Sequence, residues 1–449
     1  MVRYEKYKDS GIAWIGEVPE HWGVRRIKSF CIVKRGASPR PIDDEKYFDD
    51  NGEFAWVRIA DASASERYLL NTPQKLSTLG ASLSVKRFPD DIFLSIAGTV
   101  GKAIITKIKC CIHDGFVWFK NLNYNSELLY YIFESGQPYL GLGKMGTQLN
   151  LNTDTVGCIF VPYMNQAEQE QIAKYLDWKC GEVDRIVEVR ERQIKLLGEL
   201  RTSVISRAVT RGLNPNAPLK DSDIDWIGQI PKHWETIKLK YIFTFGKGLN
   251  ITKEDLVESG MPVISYGQIH SKENHGTGVK ESLKRFVNGD YLKTSRQSLV
   301  NNNDFIFADT SEDLEGVGNC VFVDNNEMLF AGYHTITLKV KNMQHNKYLA
   351  YLFLSDLWRT QIRSRVAGVK VFSITKTILN FNTVLLPPIA EQRQIADYLD
   401  KKTAEIDNTI NKFKVQIDKL KEYRQALITE VVTGKIDVRG IEIPTPKSN

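Results

Sequence analysis

Several short stretches of this 449-residue chain carry side chains that could do chemistry. Gly98-Thr-Val-Gly101-Lys102-Ala103 has the glycine–lysine ending of a phosphate-cradling loop. Such a loop needs four residues between its glycines and a Ser or Thr after the lysine to hold magnesium. Only Thr99 and Val100 separate these glycines, and Ala103 follows Lys102, so a nucleotide site is excluded. Cys110, Cys111, His113 and Asp114 would suit a metal ion. Neighbours on a strand project to opposite faces, however, and rarely converge on one ion. No pair among Cys31, Cys110, Cys111, Cys158, Cys180 and Cys320 has C-x-x-C spacing, so buried structural thiols are expected. Asn214-Pro215-Asn216-Ala217 lacks the aromatic residue that an amino-methyltransferase motif stacks on its base. Asp90 after Pro89 could open a nuclease motif, but no acidic-x-Lys follows it. With no H-E-x-x-H, G-x-S-x-G or Cys–His arrangement either, neither catalytic residues nor metal ligands are expected.

What positions these stretches is a repeated frame. Asp9–Trp22 reads DSGIAWIGEVPEHW and Asp221–Trp234 reads DSDIDWIGQIPKHW, nine of fourteen positions identical at an offset of 212. Ala167–Asp177 (AEQEQIAKYLD) and Ala390–Asp400 (AEQRQIADYLD) share nine of eleven positions at an offset of 223. The halves share ends and differ between them, as one scaffold presenting two reading heads would. Trp14, Trp22, Trp226 and Trp234, with His21 and His233, are expected as aromatic plugs against each core. Strands are predicted at Phe54–Ile59, Asp91–Ile96, Gly115–Phe119, Pro262–Tyr266, Asp304–Ala308 and His334–Lys339. A short helix follows in each half, at Ser126–Ser135 and Asn346–Ser355, giving two α+β domains.

Each half then closes on a long heptad-patterned helix. Ile172, Leu176, Val183, Ile194, Leu197 and Val204 in the first map onto Ile395, Leu399, Ile406, Ile417, Leu420 and Leu427 in the second, all at offset 223. Phe413 falls opposite Arg190 in that register, an asymmetric layer. Asn165 with Glu168 forms a capping-box start, and Pro387-Pro388 a proline-led one. Two such helices in one chain can bury their stripes against each other, and an antiparallel coiled coil with pseudo-twofold symmetry is expected.

Composition agrees with a soluble protein: 42% hydrophobic and 25% charged residues. The net charge of +6 suits a polyanionic partner. No stretch approaches the roughly 20 apolar residues of a membrane span, and no cleavable leader is recognised, so a cytoplasmic protein with no membrane association is expected.

Taken together, the two WIG-x-x-P-x-HW openings, the two divergent middles and the two E-Q-x-Q-I-A-x-Y-L-D helices resemble the DNA-specificity subunit of type I restriction–modification systems. Phe93-Leu-Ser-Ile-Ala-Gly-Thr-Val-Gly101-Lys102 and Val263-Ile-Ser-Tyr-Gly-Gln-Ile269 look like cores of target-recognition domains. The resemblance implies target-recognition domains at 1–163 and 213–386, helical spacers at 164–212 and 387–434, and a tail at 435–449. It implies a non-catalytic chain that binds a bipartite double-stranded DNA target, with two methyltransferase and two restriction/translocase subunits as partners. S-adenosylmethionine, ATP and Mg2+ would belong to those partners, and no cofactor to this chain. A stand-alone two-headed DNA-binding protein and a fused restriction–methyltransferase are the competing readings.

Base edges and phosphates are met by Arg, Lys, Asn, Gln, Ser and Thr. The first head offers Lys34, Arg35, Arg40, Arg58, Lys102, Thr147 and Gln148. The second offers Lys247, Ser265, Tyr266, Gln268, His270, Thr310, Ser311, Lys370 and Ser373. Lys247-Gly248 falls at the offset of Arg35-Gly36, and the glycine is expected to let a loop approach the DNA backbone. Arg58 falls at the position of Ser265.

Overall fold

The computed structural model describes residues 2–142, 151–224, 227–341, 345–368 and 370–444. They form two compact units, Met1–Arg190 with Lys414–Asn449, and Glu191–Phe413. Each unit takes part of both long helices, Gln166–Arg211 and Ile389–Val432.

In the first unit the expected aromatic and β-branched segments form strands, although the one expected over Phe54–Ile59 ends at Val57 and Ile59 opens a short helix. A five-stranded sheet runs Ile32–Arg35, Phe116–Lys120, Ile92–Ser95, Ala103–Thr106, Tyr68–Leu69. A four-stranded sheet runs Lys75–Leu76, Phe54–Val57, Cys110–Ile112, Val85–Arg87, its middle pair parallel. The second unit repeats the plan. Phe243–Lys247, Thr335–Val340, Phe305–Ala308 and Cys320–Phe322 form one sheet, and Met261–Ile264 lies parallel to Leu329–Ala331 in the other. The short helices are Ser126–Glu134 and Asn346–Leu354. In each unit a two-stranded ribbon joins the opening to the long helix: Gly23–Arg26 with Phe160–Tyr163, and Glu235–Lys238 with Thr383–Leu386.

The long helices pair antiparallel inside each unit. In the first, Ile172 and Leu176 share a core with Leu427 and Val431, while further along Asp184 meets Arg424 at 3.0 Å. In the second, Ile395 and Leu399 share a core with Ile205 and Val209, while Asp407 meets Arg201 at 3.1 Å. Numbers rise on one helix as they fall on the other. Ile172, Leu176, Val183, Ile395, Leu399, Ile406 and Leu427 are buried, each such side chain contributing about 1.5–3 kcal/mol. Ile194, Leu197, Val204, Phe413 and Leu420 are half-buried. The stretch set apart as a tail joins the first core through Ile436 and Val438, and the Gln171 side-chain amide donates to Val438 O and Ile441 O.

The repeated letters are joinery between these elements. Glu168 is 5% exposed, and its carboxylate accepts from Tyr4 Oη, Trp22 Nε1 and His21 Nε2 at 2.9, 2.9 and 3.0 Å. Glu391 accepts from His233 Nε2 at 2.7 Å. Gln169 Nε2 donates to Met164 O while its Oε1 accepts from Asn125 N–H, and Gln392 does the same with Pro387 O and His345 N–H. Asp177 and Asp400 accept from the hydroxyls of Tyr131 and Tyr351. Trp22 and Trp234 are fully buried plugs, whereas Trp14 is half-buried and Trp226 lies outside the described residues. The histidines are not plugs; they lie on the rim, 44% and 49% exposed, and fasten the opening to the helix. Only half of the expected capping box forms: Asn165 Oδ1 caps Glu168 N–H, but the Glu168 side chain turns away to Trp22.

Candidate nucleic-acid interface

In the first unit the strand Ile32–Arg35 runs out into a loop that folds over His113–Asp114. Arg35 Nε donates to Asp114 O at 2.6 Å, Arg40 Nη2 to Asp114 Oδ2 at 2.7 Å and Ser38 Oγ to Asp114 Oδ1 at 3.0 Å. Burial alone would raise the Asp114 carboxyl; the Ser38 hydroxyl, His113, Arg40 and Arg35 outweigh it and hold it below the usual range. Burial, reinforced by Arg40, Arg58 and Arg35, pushes His113 below its ordinary value despite Asp114. Its Nδ1 accepts from Gly115 N–H at 2.9 Å, so the ring is neutral at pH 7 and its closeness to Asp114 is not an ion pair. Two arginines, Arg35 and Arg40, therefore converge on Asp114, and Arg58 acts with them on the neighbouring His113. Lys34, one step along the strand, projects to the other face and stays outside the cluster.

The second unit builds its counterpart from different side chains. Ser265 precedes the short helix Tyr266–Ile269 as Arg58 precedes Ile59–Ala64. The backbone N–H of each is capped three residues on, by Gln268 Oε1 at 3.2 Å and Asp61 Oδ2 at 2.7 Å. His270 Nε2 lies 2.8 Å from Thr310 O, and Nδ1 lies 3.2 Å from Asn319 Nδ2. A carbonyl only accepts, so Nε2 carries the proton, Nδ1 accepts, and the ring is neutral. Tyr266 packs edge-on against Tyr333 and His334 at 5.6 and 5.4 Å. Thr310 pairs with Ser373 across a two-residue ladder. Tyr266, His270, Thr310, Ser373, Tyr333 and His334 thus gather at one place. Lys247 and Lys370 are exposed on neighbouring segments.

Other expected contacts have internal duties. Lys102 Nζ donates to the carbonyls of Ser63 and Ser65, capping the helix Ile59–Ala64 at its negative end. Ser311 is buried, its hydroxyl closing a turn on Asp313 O, and Gln268 is committed to its cap. Thr147 and Gln148 lie outside the described residues. Gly36 and Gly248 serve the sheet. A Cβ on Gly36 would sit 2.2 Å from His113 O, and one on Gly248 1.9 Å from Gly332 O. Gly36→Ala or Gly248→Ala should therefore cost about 2–3 kcal/mol. Thermal unfolding measures this, and an unchanged midpoint would refute the packing role. Tyr333, His334 and Asn319 were missed by sequence reasoning. The sequence carried no local signal for them, because only the contacts of Gly36 with His113 and of Gly248 with Gly332 in the fold place Asp114 opposite Tyr333.

Among the described residues no three His, Cys, Asp or Glu side chains converge as metal ligands. Cys110 and Cys111 face different clusters, and burial pushes their thiols up to about 12 and about 11. Cys158 departs from the expected buried thiols and is exposed. Gly101 packs on Tyr139, whose hydroxyl donates to Gly101 O at 2.8 Å, so the phosphate-loop lookalike is a packed turn. No helix of the described residues is long and apolar enough to cross a membrane.

The sequence model of the type I restriction modification DNA specificity domain matches residues 19–194 and again 231–417. The chain belongs to that family. Its two matches cover the two heads with the starts of their long helices. The MjaVIII specificity subunit of Methanocaldococcus jannaschii is 22% identical over 432 residues, spanning 94% of this chain and 95% of that one. The EcoKI specificity subunit of Escherichia coli is 24% identical over 213 residues, 46% of this chain and 44% of that one. A chain solved in work on complex assembly and conformational transition of the type I R-M system superposes with a TM-score of 0.70 at 16% identity, covering 93% and 99% of the two chains. The HsdS subunit from Thermoanaerobacter tengcongensis gives 0.52 at 16% identity over 93% and 98%. This specificity chain recognises DNA and is not itself an enzyme.

Proposed function

We propose that this specificity chain reads a bipartite double-stranded DNA target, one half through residues 1–163 and the other through 213–386. The observation that carries this reading is one scaffold with two different edges. At equivalent loops the first unit gathers Arg35, Arg40 and Arg58, and the second gathers Tyr266, His270, Thr310, Tyr333 and His334. Arg35 and Arg40 hold Asp114 at an exposed rim, from which guanidiniums can turn to phosphate or to guanine O6 and N7. The second edge offers aromatic faces and neutral donors, suited to different base pairs. The segments 164–212 and 387–434, which hold the long helices, serve as the spacer between half-sites.

In this reading two methyltransferase subunits and two restriction/translocase subunits assemble on the chain in the cytoplasm. Methyl transfer with S-adenosylmethionine, and translocation and cleavage with ATP and Mg2+, belong to those partners. The test is a map of methylated adenines in a host carrying this chain with its methyltransferase partner and in one lacking this chain. A split motif with a constant gap, present only with the chain, is expected. Methylation that persists without it, or at a continuous site, would overturn the reading.

A further inference from the structure

The second unit buries an arginine that the packing does not require. Arg359, on the helix Asp356–Arg363, is 9% exposed, and among the described residues no carboxylate forms an ion pair with it. A guanidinium taken out of water costs free energy unless its donors find well-placed acceptors. Arg359 finds two: Nε donates to Phe353 O at 2.8 Å and Nη1 to Asn319 Oδ1 at 2.6 Å. Gly318, at a φ of 89°, lies against its aliphatic stem, where an added Cβ would be 3.3 Å from Cγ. A methionine would fill much of the same space without the charge.

From Asn319 the contacts run outward to the edge. Its amide Nδ2 donates to His270 Nδ1, which commits the proton to Nε2, and Nε2–H holds Thr310 O. Thr310 in turn pairs with Ser373, and its hydroxyl donates to Asp309 Oδ1 at 2.7 Å. One helical turn beyond Arg359, Arg363 Nη2 donates to Glu315 O at 2.7 Å and secures the same loop. The helix thus grips the loop 309–319 from behind while its front lies beside Tyr266 and His270.

We propose that Arg359 is a positioning residue for recognition of the second half-target, fixing through Asn319 the Nε2–H form of His270 and hence the placement of Thr310. The proposal rests on the reading that this unit meets DNA through the Tyr266–His270–Thr310 edge. Arg359 touches no DNA itself. With Met in its place, the Asn319 amide is free to rotate and offer Oδ1 to His270, which favours the other tautomer and breaks the bond to Thr310 O.

The full chain with its methyltransferase partner is assayed on duplexes carrying the cognate target or a single substitution in either half-site. Nitrogen-15 imidazole spectra of the histidine-labelled full chain report the His270 tautomer. Arg359→Met should shift His270 away from the Nε2–H form, and Asn319→Ala, which takes the donor from Nδ1, should move the Nδ1 resonance. Each should lower discrimination at the second half-site about tenfold and leave the first half-site unchanged. Asn319 is partly exposed, so its variant gives the readout even if the buried replacement does not fold. Unchanged imidazole resonances and unchanged discrimination in both variants would overturn the proposal. Tyr266→Ala separates the two ideas. If it leaves second-site selection intact, the reading of this edge falls. If it weakens selection while Arg359→Met and Asn319→Ala do not, only the positioning role falls.

Discussion

Replacing Glu168 with alanine should destabilise the first unit by about 3 kcal/mol, because three donors lose one acceptor. Trp22 is fully buried and its indole N–H has no water to turn to; Tyr4 is 5% exposed. Each buried donor left unmade costs about 1–3 kcal/mol, partly offset by relief of a buried charge. The equivalent Glu391→Ala should cost only about 1 kcal/mol. His233 is half exposed there, and Trp234 Nε1 has no acceptor among the described residues to lose. Hydrogen exchange of the Phe160–Tyr163 and Thr383–Leu386 strands separates the two effects within one molecule. Equal loss of protection in both strands would contradict the asymmetry.

A two-residue insertion after Leu200 should abolish assembly, whereas a four-residue insertion should be tolerated. Two residues rotate the downstream part of the helix by about 200° and four by about 400°, close to a full turn. In the second unit the rotated face carries Ile205, Ala208 and Val209 away from Ile395 and Leu399, and Arg201 away from Asp407. Four residues restore the face and add roughly 6 Å of rise. If the helices are the spacer, that insertion lengthens the target gap by about one or two base pairs and keeps both half-sites. Methylation maps of the two variants give the answer; an unchanged gap would remove the spacer role.

Much of the scaffold was legible in the sequence because it rests on local pattern. Phe54–Val57 and Phe305–Ala308 are β-branched and aromatic runs, and the heptad positions announce two long helices. The antiparallel pairing followed from duplication alone. The interface was less legible because its partners are remote in sequence. Arg40 meets Asp114 74 residues away, and Arg359 meets Asn319 40 residues away. Lys102 was expected on DNA from its type, yet the nearby end of Ile59–Ala64 takes its charge. Gly36 and Gly248 were expected at the DNA, yet a carbonyl of the same sheet region explains them. Residue type names the chemistry a side chain can do; only geometry says whether that capacity is already spent.

The central claim is that each unit reads its own half of the target. Replacing residues 23–160 with the corresponding segment of another specificity chain, and mapping methylated adenines in the host, tests it most directly. The account predicts that one half-site changes while the other half-site and the gap stay as they were. A change in both half-sites, or in neither, would contradict it.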